Sequence, residues 1–136
     1  ARGVEVVGVD LDPSMLAEAR AKATHLLWVE ADLAGVALGR TFDVVAMPGN
    51  VMICVHPGTE AAVVRSLAEH VAVDGVLVAG FQLGRGYTLD RYDADCAAAG
   101  MELVARYATW HRDRFEGGDY AVSVHRHAVS NSATVE

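Results

Sequence analysis

Lysine occurs once in this 136-residue chain, at Lys22, and arginine supplies the other ten of its eleven basic residues. Against them stand 18 acids, giving a formal net charge of −7, and no basic stripe forms along the sequence. Arg106, Arg112, Arg114 and Arg126 fall late but are interleaved with acids and aromatics. Affinity for nucleic acid comes largely from neutralising phosphates, so nucleic acid is disfavoured as a partner. Cysteine is scarce too. Cys54 and Cys96 are too few for a disulfide scaffold, lack metal-ligand spacing, and sit in apolar surroundings that suit buried, reduced thiols. Among the six histidines only His125 and His127 are close, on one face of a strand. Zinc needs two further ligands, so no metal is expected. No apolar run is long enough to span a bilayer, and no basic segment leads into a hydrophobic signal core. The expectation is a cytoplasmic protein away from the membrane.

What is plentiful is apolar. Hydrophobic residues make up 52% of the chain and aromatics only 7%, with Val, Ala and Gly prominent. That is the texture of buried strands under alanine-rich helices. The length suits one domain with a sizeable core, expected over residues 1–127, followed by a fraying tail over 128–136. The chain begins with Ala rather than Met, consistent with a piece of a longer protein.

The most informative segment is VVGVDLDPSML, Val6–Leu16. A strand pattern (Val4, Val6, Val7, Val9) runs into Asp10, and a helix opens almost at once. Asp12 suits the N-cap, Pro13 the first helical position, and Met15, Leu16, Ala19 and Ala23 fall on one stripe. In open α/β sheets ligands bind beyond the carboxyl ends of the strands. A carboxylate there accepts two hydrogen bonds from the vicinal hydroxyls of a ribose. The segment is built to hold a nucleoside.

Further along, the pattern predicts a helix over about Pro13–Ala23 and an apolar strand His25–Glu30 ending in the acids Glu30 and Asp32. A Gly-containing stretch, Ala34–Arg40, leads to a strand Phe42–Met47; it is short for a parallel crossover, so any helix within it is vestigial. Pro48, Gly49 and Asn50 break that strand. A helix is expected over Thr59–Val71, a turn at Asp74–Gly75, and a strand over Val76–Phe81. Thr88 caps a helix with Leu89, Tyr92, Cys96 and Ala99 on one stripe and Gly100 at its C′ position. Two last strands, Glu102–Trp110 and Tyr120–His127, are joined too tightly for a helical crossover and must pair antiparallel. The sum is α/β: a three-layer α/β/α sandwich with a mostly parallel sheet and a C-terminal antiparallel hairpin.

With these segments in order, the chain resembles the class I S-adenosylmethionine-dependent methyltransferases, from the second strand of that fold to the seventh. VVGVDLDPSML is similar to the family's second-strand motif, VEADL to the motif after the third strand, FDVVAMPGN to the fourth and VDGVLVAGF to the fifth. The resemblance implies a Rossmann-like seven-stranded sheet whose last strand inserts antiparallel, and S-adenosylmethionine as cofactor. Carried onto this chain, it implies that Asp10 holds the ribose hydroxyls and Leu11 lies against the adenine. Met15 would contact the nucleoside. Asp32 would accept from the adenine amine, with the Leu33 amide near a ring nitrogen. Met47, Pro48 and Gly49 would lie along the methionine portion.

One departure matters. The family's first strand, central in its sheet, and the Gly-rich loop after it find no counterpart before Asp10; Gly84 and Gly86 form a G-x-G only after the fifth strand. The chain is therefore expected to be N-terminally truncated, weakly binding or inactive alone, and to close a gap between its second and fourth strands or expose unpaired edges.

Methyl transfer leaves the protein mainly to align nucleophile and methyl and to exclude water, so no catalytic dyad is required and none is evident. The catalytic residues are unassigned. His56 is the sharper candidate for a base, or else a surface histidine. Asn50, Arg85, Tyr87, Trp110 and His111 are candidates to line an acceptor pocket, or are simply packed and solvated side chains. Met-Pro-Gly-Asn is not the signature of amino-group methylation on nucleobases, which points to a small-molecule methyl acceptor. The alternatives are an NAD(P)-dependent dehydrogenase, whose ribose is held by a similar acid, and a non-catalytic remnant of the methyltransferase fold.

Overall fold

A computed structural model describes residues 6–10, 12–22 and 26–128. Leu11 and the tail beyond Ala128 lie outside the described residues.

The first unit is β1 (Val7–Asp10), α1 (Pro13–Lys22) and β2 (Leu27–Glu30), with β1 and β2 parallel and Asp10 beside Glu30. The helix starts where its cap chemistry dictates. Asp12 Oδ1 accepts from the Ser14 backbone N–H at 2.9 Å and from the Ser14 hydroxyl at 2.8 Å. Those two bonds hold the Asp12 carboxyl below the ordinary carboxylate value. Of the predicted stripe Ala23 lies outside the described residues, and among Met15, Leu16 and Ala19 only Leu16 is fully buried. Met15 is 54% exposed, because it lies off the face turned to the strands.

The rest of the chain gives β3 (Phe42–Met47), α2 (Val51–Cys54), α3 (Glu60–Ala68), β4 (Val71–Gln82), α4 (Leu89–Ala98), β5 (Met101–Tyr107) and β6 (Tyr120–His127). Strand order is β3-β4-β6-β5: β3 and β4 are parallel, and β6 runs antiparallel between β4 and β5. The predicted hairpin is thus present, with its second strand inserted. Thr88 Oγ1 accepts from the Arg91 N–H at 3.1 Å, and Gly100 takes φ 82° just past the α4 terminus.

Among the described residues β1 and β3 are not hydrogen-bonded to each other, so the strands form a pair and a four-stranded sheet. Of the two expected outcomes, a closed gap or exposed edges, the described residues show the second: no described strand pairs with the outer edge of β1 or of β3.

Three expectations are corrected. The helix predicted over Thr59–Val71 ends at Ala68, since Val71 already pairs with Phe42. Asp74–Gly75 is not a turn but part of one long strand. Between Phe42 and Val44 on β3, two steps match five on β4, Val71 to Val76, so the excess bulges there. A β-carbon on Gly75 would stand 2.6 Å from the Asp43 carbonyl oxygen, which leaves glycine as the residue that fits. Strand β5 stops at Tyr107, because residues 108–113 fold back: the Ala108 N–H donates to the Asp113 carbonyl at 2.7 Å.

The core lies between the four-stranded sheet and helices α2, α3 and α4. Leu77, Ala79 and Phe81 alternate inward along β4 to meet Val63, Val64, Tyr92 and Cys96. Phe81 packs edge-on to Tyr92 with ring centres 5.6 Å apart. His70 staples the β2–β3 connection to this core: its Nε2 accepts from the Leu38 N–H at 3.0 Å, which leaves Nδ1–H to donate to the Ser66 carbonyl at 2.8 Å.

Candidate functional site

A cavity of about 350 Å³ opens at the carboxyl ends of β1, β2 and β3. Asp10 stands at the tip of β1 and Asp32 just beyond β2, and both line it together with Leu33 and Gly49. Four residues singled out from sequence thus share one wall. Each carboxylate is oriented by its own backbone. Asp10 Oδ1 accepts from the Asp12 N–H at 3.1 Å and Asp32 Oδ1 from the Ala34 N–H at 2.9 Å, so each has a second oxygen to offer a ligand. Both acids are exposed to solvent. Between them the lining is apolar, from Val9, Leu33 and Val51, which suits a flat base better than a charged group.

The remaining candidates sit elsewhere. Met15 faces solvent from α1 and Pro48 is exposed, and neither lines the cavity; Met47 is 3% exposed and packs in the core. Leu11 lies outside the described residues. Gly49 at φ 77° and Asn50 at φ 64° turn the chain sharply off β3, a left-handed pair that glycine and asparagine tolerate. Asn50 itself points along the rim, where its Oδ1 accepts from the Gln82 N–H at 2.8 Å.

His56 lines the cavity with an exposed ring. Its carbonyl is pinned by the Thr59 N–H at 3.0 Å and the Thr59 hydroxyl at 2.6 Å, which fixes the loop that carries it. Tyr87 is no pocket wall. It is buried, and its hydroxyl donates to Asp95 Oδ2 at 2.5 Å. Sequence reasoning missed Val51, Cys54, Val55, Thr59 and Val63, which close the cavity on the helix side. The apolar run VMICV after the Pro-Gly-Asn break was the available signal, since it folds as α2 and turns toward the cleft. Among the described residues no group of three or more His, Cys, Asp and Glu side chains is placed to hold a metal ion.

Residues 1–75 match the family model described as a methyltransferase domain. The chain belongs to that methyltransferase family. No curated protein matches it. Among solved structures, a TehB-like S-adenosylmethionine-dependent methyltransferase from Corynebacterium glutamicum is 27% identical, with a TM-score of 0.87 over 93% of this chain and 70% of that one. The methyltransferase CcbJ from Streptomyces caelestis has a TM-score of 0.84 at 22% identity, over 93% of this chain and 76% of its own. CalS10 from Micromonospora echinaspora, an amino pentose methyltransferase with S-adenosylmethionine bound, has a TM-score of 0.72 at 22% identity, over 88% and 73% respectively. The last two speak for the fold alone. This methyltransferase uses S-adenosylmethionine as its cofactor, and the family gives no support to the nicotinamide-dependent dehydrogenase. No helix among the described residues is long and apolar enough to cross a membrane.

Proposed function

We propose that the cavity between Asp10, Asp32 and Gly49 holds S-adenosylmethionine, and that the methyl acceptor is a small molecule. The observation that carries this reading is that two carboxylates, 22 positions apart in sequence, line a single cleft with an apolar wall between them. The cofactor brings the reactive methyl group, on a sulfonium, and with it the chemistry. The protein's part is to bind and orient. Asp10 is placed to accept the two ribose hydroxyls, and Asp32 to accept from the adenine amine. Leu33 and Val51 give the base apolar contact, and Gly49 lets the backbone come close beside the methionine arm. Leu11, Met15, Met47 and Pro48 complete the expected shell in sequence. Of these, Met47 supports it from the core rather than from the cavity surface.

A small-molecule acceptor fits the net charge of −7, which gives nucleic acid no counterpart. Relatives of this fold include the amino pentose methyltransferase CalS10 and the sugar N-methyltransferase KedS8. Two free thiols suit a reducing, cytoplasmic setting. Calorimetric titration of the full chain with S-adenosylhomocysteine, and separately with NAD, tests the assignment. Binding of the first and not the second is expected; binding of neither overturns it.

A further inference from the structure

Of the side chains considered from sequence for the acceptor side, Asn50, Arg85, Tyr87, Trp110 and His111 do not line the cavity, and His56 does. Its imidazole is exposed, and among the described residues no group hydrogen-bonds to the ring. The backbone beneath it, by contrast, is fixed. His56-Pro57-Gly58-Thr59 has the sequence of a type II turn, in which proline presets the second position and glycine takes the positive φ, here 93°, at the third. The Thr59 N–H closes the turn on the His56 carbonyl, and the Thr59 hydroxyl donates to the same oxygen. The Gly58 N–H donates to Glu60 Oε1 at 3.0 Å, and Glu60 meets the Arg91 guanidinium of α4 at 3.8 Å. A rigid turn thus presents an uncommitted imidazole to the cavity.

The other polar groups of the wall have their roles already. Asp10 and Asp32 stand at the tip of β1 and just beyond β2, where the cofactor assignment puts the ribose and the adenine. Thr59 donates its hydroxyl proton to the turn. Cys54 remains, but a thiol is a weak hydrogen-bonding group. His56 is carried by the segment that leaves β3 after Gly49, the side along which the same assignment runs the methionine arm with its sulfonium. It is the one strong proton acceptor of the wall left for the reacting end.

We propose that His56 faces the transferable methyl group and is the general base of the reaction, for an acceptor that is methylated on nitrogen or oxygen and must give up a proton. The acceptor's lone pair forms the new bond to the methyl carbon while the carbon–sulfur bond breaks, and that bond's electron pair stays on sulfur in the neutral thioether. The proton leaving the acceptor's N–H or O–H passes to a ring nitrogen of His56 and from there to solvent. Histidine suits the task because its charge changes near neutral pH. The proposal rests on the cofactor assignment above, which fixes where the methyl group lies.

Calorimetric titration of the full chain with S-adenosylhomocysteine and with sinefungin tests it. In sinefungin an ammonium-bearing carbon replaces the methyl-bearing sulfur, so its affinity responds to charge on His56, whereas the neutral thioether's does not. From about pH 8 to about pH 5.5, the range in which histidine gains its charge, the preference for sinefungin is expected to fall at least about five-fold. Asp10, Asp32 and Cys54 share the cavity, and His56→Gln separates their titration from that of the imidazole. In that variant the preference is expected to stay within about two-fold over the same range. No fall in the parent, or the same fall in both proteins, overturns the proposal. S-adenosylmethionine carrying carbon-13 in its methyl group gives a second readout on the unaltered chain. Nuclear Overhauser transfer from the methyl protons to the His56 ring is expected, and transfer that reaches only other cavity side chains overturns the proposal. Binding of neither ligand overturns the cofactor assignment and this inference with it, whereas S-adenosylhomocysteine binding with a pH-independent preference indicts His56 alone.

Discussion

Asn50 Oδ1 accepts a hydrogen bond from the Gln82 backbone N–H at 2.8 Å, tying the end of β3 to the end of β4 beside the cavity. Asn50 does this from the left-handed region, at φ 64°. Replacement by alanine loses the bond and leaves in the left-handed region a residue that, unlike asparagine, has no polar side chain to favour it, together about 2 kcal/mol. Replacement by glycine loses only the bond, about 1 kcal/mol. Denaturant unfolding of the two variants is expected to rank Asn50→Gly above Asn50→Ala. Equal stability would show that the left-handed turn is not imposed by the fold.

Asp10 and Asp32 share the cavity, Asp10 from the tip of β1 and Asp32 from just beyond β2. Alanine at either position removes a charged acceptor, and each is expected to weaken S-adenosylhomocysteine roughly 10- to 100-fold. Calorimetry on variants whose circular dichroism matches the parent reads this directly. A ligand with the adenine amine replaced by oxygen, S-inosylhomocysteine, should discriminate further. Asp32→Ala is expected to narrow the gap between the two ligands and Asp10→Ala to leave it. Identical behaviour of the two variants would contradict their separate roles.

The two cysteines differ in what surrounds them. Cys54 is exposed and lines the cleft, whereas Cys96 is buried on the inner face of α4, and burial pushes its thiol up to about 12. The thiolate is the reactive form, so a disulfide reagent near neutral pH should titrate one thiol in the native protein and the second only after unfolding. S-adenosylhomocysteine at saturation should slow the Cys54 reaction several-fold. Labelling at the same rate with and without ligand would place the ligand away from this cleft.

His125 is 1% exposed on β6, with Tyr92 edge-on at 5.2 Å between ring centres, and its Nε2 lies 3.2 Å from Asp93 Oδ1. Arg106 Nη2 holds the same Asp93 oxygen at 2.6 Å, and the Cys96 thiol lies on the same helix face. Burial lowers the His125 value from 6.5; Asp93 opposes that shift and Arg106 adds to it. A histidine lowered in the folded state stays neutral there while the unfolded chain takes up a proton. Stability from this group is therefore full above about pH 6.5 and is lost as pH falls toward the folded value, by at most about 1.4 kcal/mol per pH unit. Unfolding curves from pH 8 to 5 for the parent and His125→Asn should diverge below pH 6.5, with the parent falling more steeply. Parallel curves would show that His125 takes up its proton equally in the folded and the unfolded chain.

Much of the molecule was legible locally. Asp12-Pro13-Ser14 announced the start of α1 and Thr88 that of α4, because a cap is a bond between neighbours in sequence. Alternation of apolar residues placed β3 and β6, and the short polar connection between the last two strands required the antiparallel pair that is found. Asp10 and Asp32 stood out because a carboxylate at a strand tip, opening a helix or a loop, has a chemical use that a buried valine has not.

What local reading misassigned depends on distant partners. Asp74–Gly75 has the composition of a turn, yet it lies inside β4, since the Asp43 carbonyl presses against Gly75 from another strand. Met15 has helical spacing with Leu16, but only Leu16 meets the strands. By itself the sequence determined the order and kind of the elements, their caps and the acids at their tips, because those follow from periodicity and short-range hydrogen bonds. Only the tertiary structure decided which side chains share the cavity wall, the open edges of β1 and β3, and the bond from the Gln82 N–H to Asn50. Each of these is a contact between residues tens of positions apart, and such contacts are set by ladder register and helix crossover, which no local pattern encodes.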